Sequence, residues 1–166
     1  KAVAATTVHG YALVPRGGGL SYTGGYLCEA ERSVLVDLSG LDRILEVSSE
    51  DMYLVAEAGV TWKQLYERLI PMGLRVPYFG TFSGAGATIG GGLSHGALFF
   101  GSARYGAAAD NVLGVEVVTA DGGLCVGVLG AVVTVVAPRP WMVEITGGYG
   151  AVVLAMTATR LPLSAW

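Results

Sequence analysis

The chain has 166 residues, of which 52% are hydrophobic and only 14% are charged, so it fits one domain with a substantial core and is unusually apolar for a domain that stands alone. The formal net charge of −3 argues against nucleic-acid binding, and the longest apolar run, 126–137, is too short to cross a membrane. The distant cysteines Cys28 and Cys125 match no metal-ligand spacing and favour reduced thiols in the cytoplasm.

The first third of the chain reads as a helix end followed by strands. Residues 2–9 are predicted to be the end of a helix, and Tyr11–Pro15 a buried strand that leads into five glycines within Gly17–Gly25. Ser33–Leu38 and Met52–Ala58 are rich in β-branched and aromatic residues and are predicted to be further strands. A start on a helix suggests that a first strand of the domain is missing.

A helix is predicted next, because the period of the apolar residues changes. Thr61 and Gln64 form a capping-box pattern, and Pro71 and Gly73 end the helix. Apolar residues at three- and four-residue spacing place one face in the core, namely Trp62, Leu65, Tyr66, Leu69 and Ile70.

The last third reads as strands. Asn111–Ala120 is a strong strand pattern that runs into a hairpin turn at Asp121-Gly122 and out again at Leu124–Val126. The tail, Ala151–Leu163, is again strand-like. Helices and strands therefore alternate, which indicates an α+β or α/β domain.

The first glycine cluster, PRGGGLSYTGG at Pro15–Gly25, has the composition of an anion-binding loop. Consecutive glycines let successive backbone N–H groups point into one concavity, while Arg16 adds a forked cation and Ser21 and Thr23 add hydroxyls. We expect a pyrophosphate cradle here. The alternative is a flexible glycine loop beside a solvated arginine.

The second cluster, at 80–96, is interrupted by Thr, Ser and Ala, which suits a chain that lies flat along a long ligand. It is not a P-loop, because no lysine ends it. It is not a Rossmann fingerprint either, because Ile89 stands where the glycine after Gly84 and Gly86 should be.

Five segments resemble, in order and spacing, the signatures of the PCMH-type FAD-binding domain found in vanillyl-alcohol-oxidase-type and D-lactate or glycolate dehydrogenase-type enzymes. They are Val14–Gly25 (VPRGGGLSYTGG), Ala85–Gly92 (AGATIGGG), Gly101–Gly106 (GSARYG), Asp110–Leu113 (DNVL) and Glu116–Gly122 (EVVTADG). The resemblance extends from about Ala12 to Gly123. It weakens later, where Tyr149 occupies the family's usual acidic position, and 127–145 shows no family pattern.

The resemblance implies an α+β FAD-binding domain over residues 1–166, with a small parallel sheet, a larger antiparallel sheet, flanking helices and no substrate cap domain. FAD is expected to be non-covalent, because Leu20 stands where relatives that tether the flavin usually carry histidine. The alternative for Thr88 is a structural hydroxyl that is hydrogen-bonded to the backbone. The alternative for His95 is a histidine that packs within the protein. The implied cofactor-binding residues are Arg16, Gly17, Gly18, Gly19, Leu20, Ser21, Gly80, Thr81, Ala87, Thr88, Gly90, Gly91, Ser94, His95, Leu154 and Ala155.

By the same resemblance, the protein is expected to oxidise a small 2-hydroxy acid or alcohol by hydride transfer to FAD. Its catalytic residues are unknown, and no metal is expected. Expected partners are the small-molecule substrate and a cap domain or partner subunit. The alternative is an FAD-binding electron-transfer subunit that needs a partner for substrate chemistry. A third possibility, a cell-wall nucleotide-sugar reductase, shares the fold, but we find no counterpart of its catalytic residues in this sequence.

Overall fold

The computed structural model describes residues 2–77, 82–98, 100–119, 121–128, 150–157 and 159–160. Within these ranges the helices are α1 (Ala2–Val8), α2 (Trp62–Leu69), α3 (Ile89–Ser94) and α4 (Ser102–Tyr105). The strands are β1 (Ala12–Arg16), β2 (Ser33–Asp37), β3 (Ile44–Ser48), β4 (Tyr53–Glu57), β5 (Leu74–Arg75), β6 (Val112–Val118), β7 (Leu124–Val128), β8 (Gly150–Thr157) and β9 (Thr159–Arg160).

A small parallel sheet is formed by β1 and β2. Ala12 is in register with Ser33 at one end of the pair and Arg16 with Asp37 at the other. Because parallel strands have their carboxyl ends at the same edge, the first glycine cluster leaves the sheet at Arg16 beside the end of β2. Open sheets of this kind bind ligands outside that edge.

A larger sheet has the strand order β3-β4-β8-β6-β7, with every neighbouring pair antiparallel. A separate antiparallel pair joins β5 to β9. The inward side of β4 carries Leu54 and Ala56, which are fully buried. The expected combination of a small parallel sheet, a larger antiparallel sheet and helices is therefore confirmed.

The α2 helix begins with the predicted capping box. The Thr61 hydroxyl accepts a hydrogen bond from the Gln64 backbone N–H at 3.2 Å, and the Gln64 side chain accepts one from the Thr61 N–H at 2.8 Å. A 3₁₀ turn follows the helix, and Gly73 at φ 68° closes it. Pro71 and Gly73 therefore stop the helical segment where the sequence predicts.

The core of the protein is built on the inner face of α2. Trp62, Leu65 and Leu69 are fully buried in one cluster with Leu54, Ala56 and Ile89. Complete burial of such a side chain stabilises the fold by about 1.5–3 kcal/mol. Tyr66 and Ile70, predicted on the same face, are only half-buried and lie at its margin.

Four elements differ from the sequence-based prediction. The β3 strand was not predicted, and the strand predicted from Asn111 begins at Val112 because Asn111 ends a 3₁₀ turn. The tail splits into β8 and β9, and its last residues, 161–163, lie outside the described residues. The second glycine cluster contains the helix α3, although glycine has a low helix propensity. Within the described ranges, none of the helices has the length and apolarity that a membrane crossing requires.

Candidate functional site

The first glycine loop is shaped by a positive φ and by its own hydroxyls. Gly19 has a φ of 66°, which side-chain-bearing residues rarely adopt. The Ser21 hydroxyl is hydrogen-bonded to the Thr23 hydroxyl at 2.8 Å and accepts a bond from the Thr23 N–H at 3.2 Å. These two hydroxyls therefore order the loop in addition to any contact with a ligand.

The second glycine loop is held by Thr88, which is the N-cap of α3. Its hydroxyl accepts a hydrogen bond from the Gly91 N–H at 3.2 Å, and the residue is only 3% exposed. Thr88 also forms an antiparallel bridge with Thr61, the cap of α2. A good N-cap explains how a helix starts in a run of three glycines.

The start of α3 is bonded to the segment between β4 and α2. The Ile89 N–H donates to the Val60 carbonyl at 2.8 Å, and the Gly90 N–H donates to the Ala58 carbonyl at 2.9 Å. A Cβ added to Gly90 would lie 2.8 Å from the Cβ of Ala58. Gly90 is therefore needed for packing, and its N–H is already bonded within the protein.

The two glycine loops, far apart in sequence, touch each other. A Cβ added to Gly17 would lie 2.3 Å from the Thr88 hydroxyl, and one added to Gly18 would lie 2.0 Å from the Gly86 carbonyl oxygen. Leu20 reaches over from the first loop, with its Cδ1 atom 3.3 Å from the Cβ position of Gly86. The loops therefore form one site instead of two separate contact points along a ligand.

A cleft of about 380 Å³ opens beside this junction. Both loops line it through Gly18, Gly86 and Thr88. Its charged lining is mixed, because Asp42 and Glu67 accompany Lys63, and Lys63 is itself 3.7 Å from Glu67. A phosphate bound at the loops would therefore depend on backbone N–H groups more than on basic side chains.

The bare backbone of the loops fits the pyrophosphate of a dinucleotide. Glycine at positions 17 and 18 is the only residue that allows the observed approach of the two loops, and a glycine loop at the carboxyl end of a parallel strand suits close contact with phosphates. No group of three His, Cys, Asp or Glu side chains in the described part of the chain is arranged to hold a metal ion.

Arg16 lies at the base of the first loop, with part of its guanidinium turned toward the protein. Its Nε atom is buried and has no hydrogen-bond partner among the described residues, and its Cζ atom is 5.9 Å from the centre of the Tyr26 ring. Asp37 lies opposite it in register. Hydrogen bonds from Ser39, with a smaller contribution from the positive charge of Arg16, lower the pKa of Asp37, so this carboxylate stays ionised.

The remaining predicted residues occupy several environments. The Ser94 hydroxyl donates to the Gly90 carbonyl at 2.8 Å, and His95 is an exposed residue that caps the end of α3. Leu154 and Ala155 lie within β8, with β4 on one side and β6 on the other. Gly80 and Thr81 lie outside the described residues.

Sequence reasoning missed two residues at this site. Gly86 was in the second cluster but was not singled out, and Tyr26 follows the first cluster without any motif of its own. Only the fold shows that Gly86 opposes Gly18 and that Tyr26 lies beside Arg16.

Comparison with known proteins places this site in a family context. The family described as FAD binding domain matches residues 1–126. The mitochondrial D-lactate dehydrogenase (cytochrome) of Kluyveromyces lactis is 34% identical over 118 residues, which cover 69% of this chain and 20% of that protein. D-2-hydroxyglutarate dehydrogenase of Escherichia coli is 37% identical over 114 residues, covering 68% of this chain and 11% of that protein.

A solved structure of alkyldihydroxyacetonephosphate synthase superposes with a TM-score of 0.79 and 21% sequence identity, covering 98% of this chain and 30% of that one. At that identity the match shows the shared fold. The chain spans about a fifth or less of the two curated relatives described above.

Proposed function

The chain belongs to the FAD binding domain family, and from that premise we propose that it forms the FAD-binding part of an oxidoreductase that oxidises a small 2-hydroxy acid or alcohol. The observation that carries the proposal is the contact of Gly17 and Gly18 with Thr88 and Gly86, which joins both glycine loops into one bare-backbone cradle. Bound FAD supplies the hydride acceptor, while the protein supplies binding and orientation.

The proposed binding residues divide between the two loops. Backbone N–H groups of Gly17–Gly19 would hold the pyrophosphate, and the Ser21 hydroxyl, bonded to Thr23, orders the loop. On the other loop, Gly91 offers bare backbone at the start of α3, and Ala87 lies directly before the Thr88 cap. The proposed set also keeps Arg16, Leu20, Gly80, Thr81, Gly90, Ser94, His95, Leu154 and Ala155. Catalytic residues are not assigned.

The substrate class rests on the two dehydrogenases above, whose names specify D-lactate and D-2-hydroxyglutarate. Since the chain spans only part of such proteins, we propose that a cap domain or partner subunit completes the substrate site. A cytoplasmic location is also part of the proposal. The Kluyveromyces relative is named mitochondrial, so cell fractionation is the appropriate test.

An electron-transfer subunit is the second candidate. Leu98 is 71% exposed and Phe100 is 73% exposed, and both follow the second glycine loop. Exposed apolar side chains near a cofactor site favour contact with another protein surface. In that case the flavin would exchange electrons with a partner instead of reacting with a small substrate.

Flavin extraction and substrate reduction test the proposal in sequence. Flavin released from purified protein should co-migrate with FAD, and recovery of FMN, or of no flavin from well-folded protein, contradicts it. Holoprotein should then lose its oxidised-flavin absorbance anaerobically with D-lactate, D-2-hydroxyglutarate or glycolate. Bound FAD that no small substrate reduces, but that a redox partner does, identifies the electron-transfer subunit.

A further inference from the structure

The guanidinium of Arg16 is built into the first glycine loop. Arg16 is the last residue of β1, and the loop that follows it turns back over its side chain. A Cβ added to Gly19 would lie 2.9 Å from the Arg16 Nε atom and 3.0 Å from Nη2. The positive-φ turn at Gly19 is therefore packed against the guanidinium itself.

Two further groups surround the same side chain. The Tyr26 ring centre is 5.9 Å from the Arg16 Cζ atom, and Asp37 is its register partner on β2. A planar guanidinium stacks on an aromatic face and presents a rigid fork of donors, whereas the compact ammonium of lysine is a strongly hydrated point charge that cannot stack or fill the same space. The Nε atom is buried, and Arg16 is not one of the described residues that line the cleft.

We propose that Arg16 is a positioning residue, whose guanidinium fixes the first glycine loop between Tyr26 and Gly19, and that it is not a charged ligand of the cofactor phosphates. The inference rests on the proposed FAD-binding function and replaces the forked phosphate contact expected from the sequence. The shape of the guanidinium would then matter for FAD affinity, and its charge would not.

Three variants separate shape from charge. Arg16→Lys keeps the charge, Arg16→Met removes it at similar length, and Tyr26→Leu removes the ring alone. Apoprotein of each is titrated with FAD by flavin fluorescence, and thermal unfolding confirms that each variant is folded. Arg32→Lys is the matched control, because Arg32 lies over the Tyr11 ring at 4.7 Å in an arrangement that does not involve the glycine loop.

All three variants should weaken FAD binding by a similar factor, on the order of fivefold, and Arg32→Lys should bind FAD as the wild type does. The double variant Arg16→Met with Tyr26→Leu should bind no more weakly than either single variant, because both changes remove one interaction.

Rescue by lysine overturns the inference: wild-type affinity in Arg16→Lys beside weak binding in Arg16→Met means that the charge contacts phosphate. Additive losses in the double variant also overturn it. If the Arg16 variants do not fold, unchanged FAD affinity in Tyr26→Leu is sufficient to reject it. If the wild-type protein itself binds no FAD, the proposed function is contradicted. That result is seen in the wild type and is therefore distinguishable from the outcomes above, which are seen in the variants.

Discussion

A Cβ added to Gly18 would lie 2.0 Å from the carbonyl oxygen of Gly86, so the two glycine-rich loops meet through backbone atoms alone. No real Cβ tolerates that distance to a backbone atom. Among the described residues Gly18 is not one of the glycines with positive φ, so its requirement for glycine comes from this contact and not from backbone strain.

Gly18→Val should therefore separate the two loops and abolish flavin binding. Overpacking of this kind costs about 1–3 kcal/mol of unfolding free energy, measured by urea denaturation. Gly40→Ala is the control, because a Cβ at Gly40 meets nothing within 4 Å and the residue is not among the positive-φ glycines. Equal flavin occupancy in Gly18→Val and the wild type would show that this contact does not form the cradle.

Gly91→Val should lose flavin while the protein remains folded. The nearest atom to a Cβ at Gly91 is the Thr88 hydroxyl oxygen at 3.1 Å, so that side chain must shift by a few tenths of an ångström, and the valine side chain covers the backbone offered to the cofactor. Gly91→Ala should change the unfolding free energy by less than about 1 kcal/mol. Flavin occupancy and urea unfolding are measured on both variants, and full occupancy in Gly91→Val contradicts a close approach at this residue.

Thr88→Val should destabilise the start of α3. The substitution removes the oxygen that accepts a bond from the Gly91 N–H, and loss of an N-cap costs about 0.5–2 kcal/mol. Thr88→Ser keeps the hydroxyl and should retain most of the stability. Urea unfolding and amide hydrogen exchange at Gly91 compare the two, and equal protection of that amide in both variants would argue against the cap.

The ion pair between Glu57 and Arg43 should make stability depend on pH. Arg43 donates from Nε to Glu57 Oε1 at 3.0 Å and from its backbone N–H to Oε2 at 2.9 Å, and these bonds lower the pKa of the buried Glu57 carboxyl. The stabilisation is present above the unfolded-state pKa, about 4.3. It is lost as the pH falls through the lower folded-state pKa.

Urea midpoints of the wild type and Glu57→Gln, measured from pH 7 down to the acid transition, test this dependence. The difference between the two proteins should be largest at neutral pH and should shrink in acid. The exposed Glu50, changed to Gln, is the control. A difference between wild type and Glu57→Gln that is independent of pH would mean that the charge of Glu57 does not contribute.

The flavin should be released by acid. Leu20 has no nucleophilic atom at the position where relatives with tethered flavin usually carry histidine, and its side chain instead packs toward Gly86. Acid precipitation of holoprotein should leave the yellow colour in the supernatant. Colour that stays in the washed pellet would demonstrate a covalent bond, and peptide mapping would then examine His95 before the exposed Cys28.

The sequence by itself determined the features that depend on local signals. The Thr61 and Gln64 cap and the spacing of Trp62, Leu65 and Leu69 specify α2 within a few residues, because helix caps and helical periodicity act over one or two turns. The order of the two glycine clusters and the later signatures was enough to identify the FAD-binding family, which the family match confirms.

Only the tertiary structure decided the relationships that connect distant segments. The contact of Gly18 with Gly86 and the strand order β3-β4-β8-β6-β7 depend on which surfaces pack together, and a linear sequence does not record this. The same holds for α3, whose glycines disfavour a helix until the Thr88 cap and the carbonyls of Ala58 and Val60 bind its first N–H groups. Backbone approach between glycines leaves no side-chain pattern along the chain, because the atoms that meet are present in every residue.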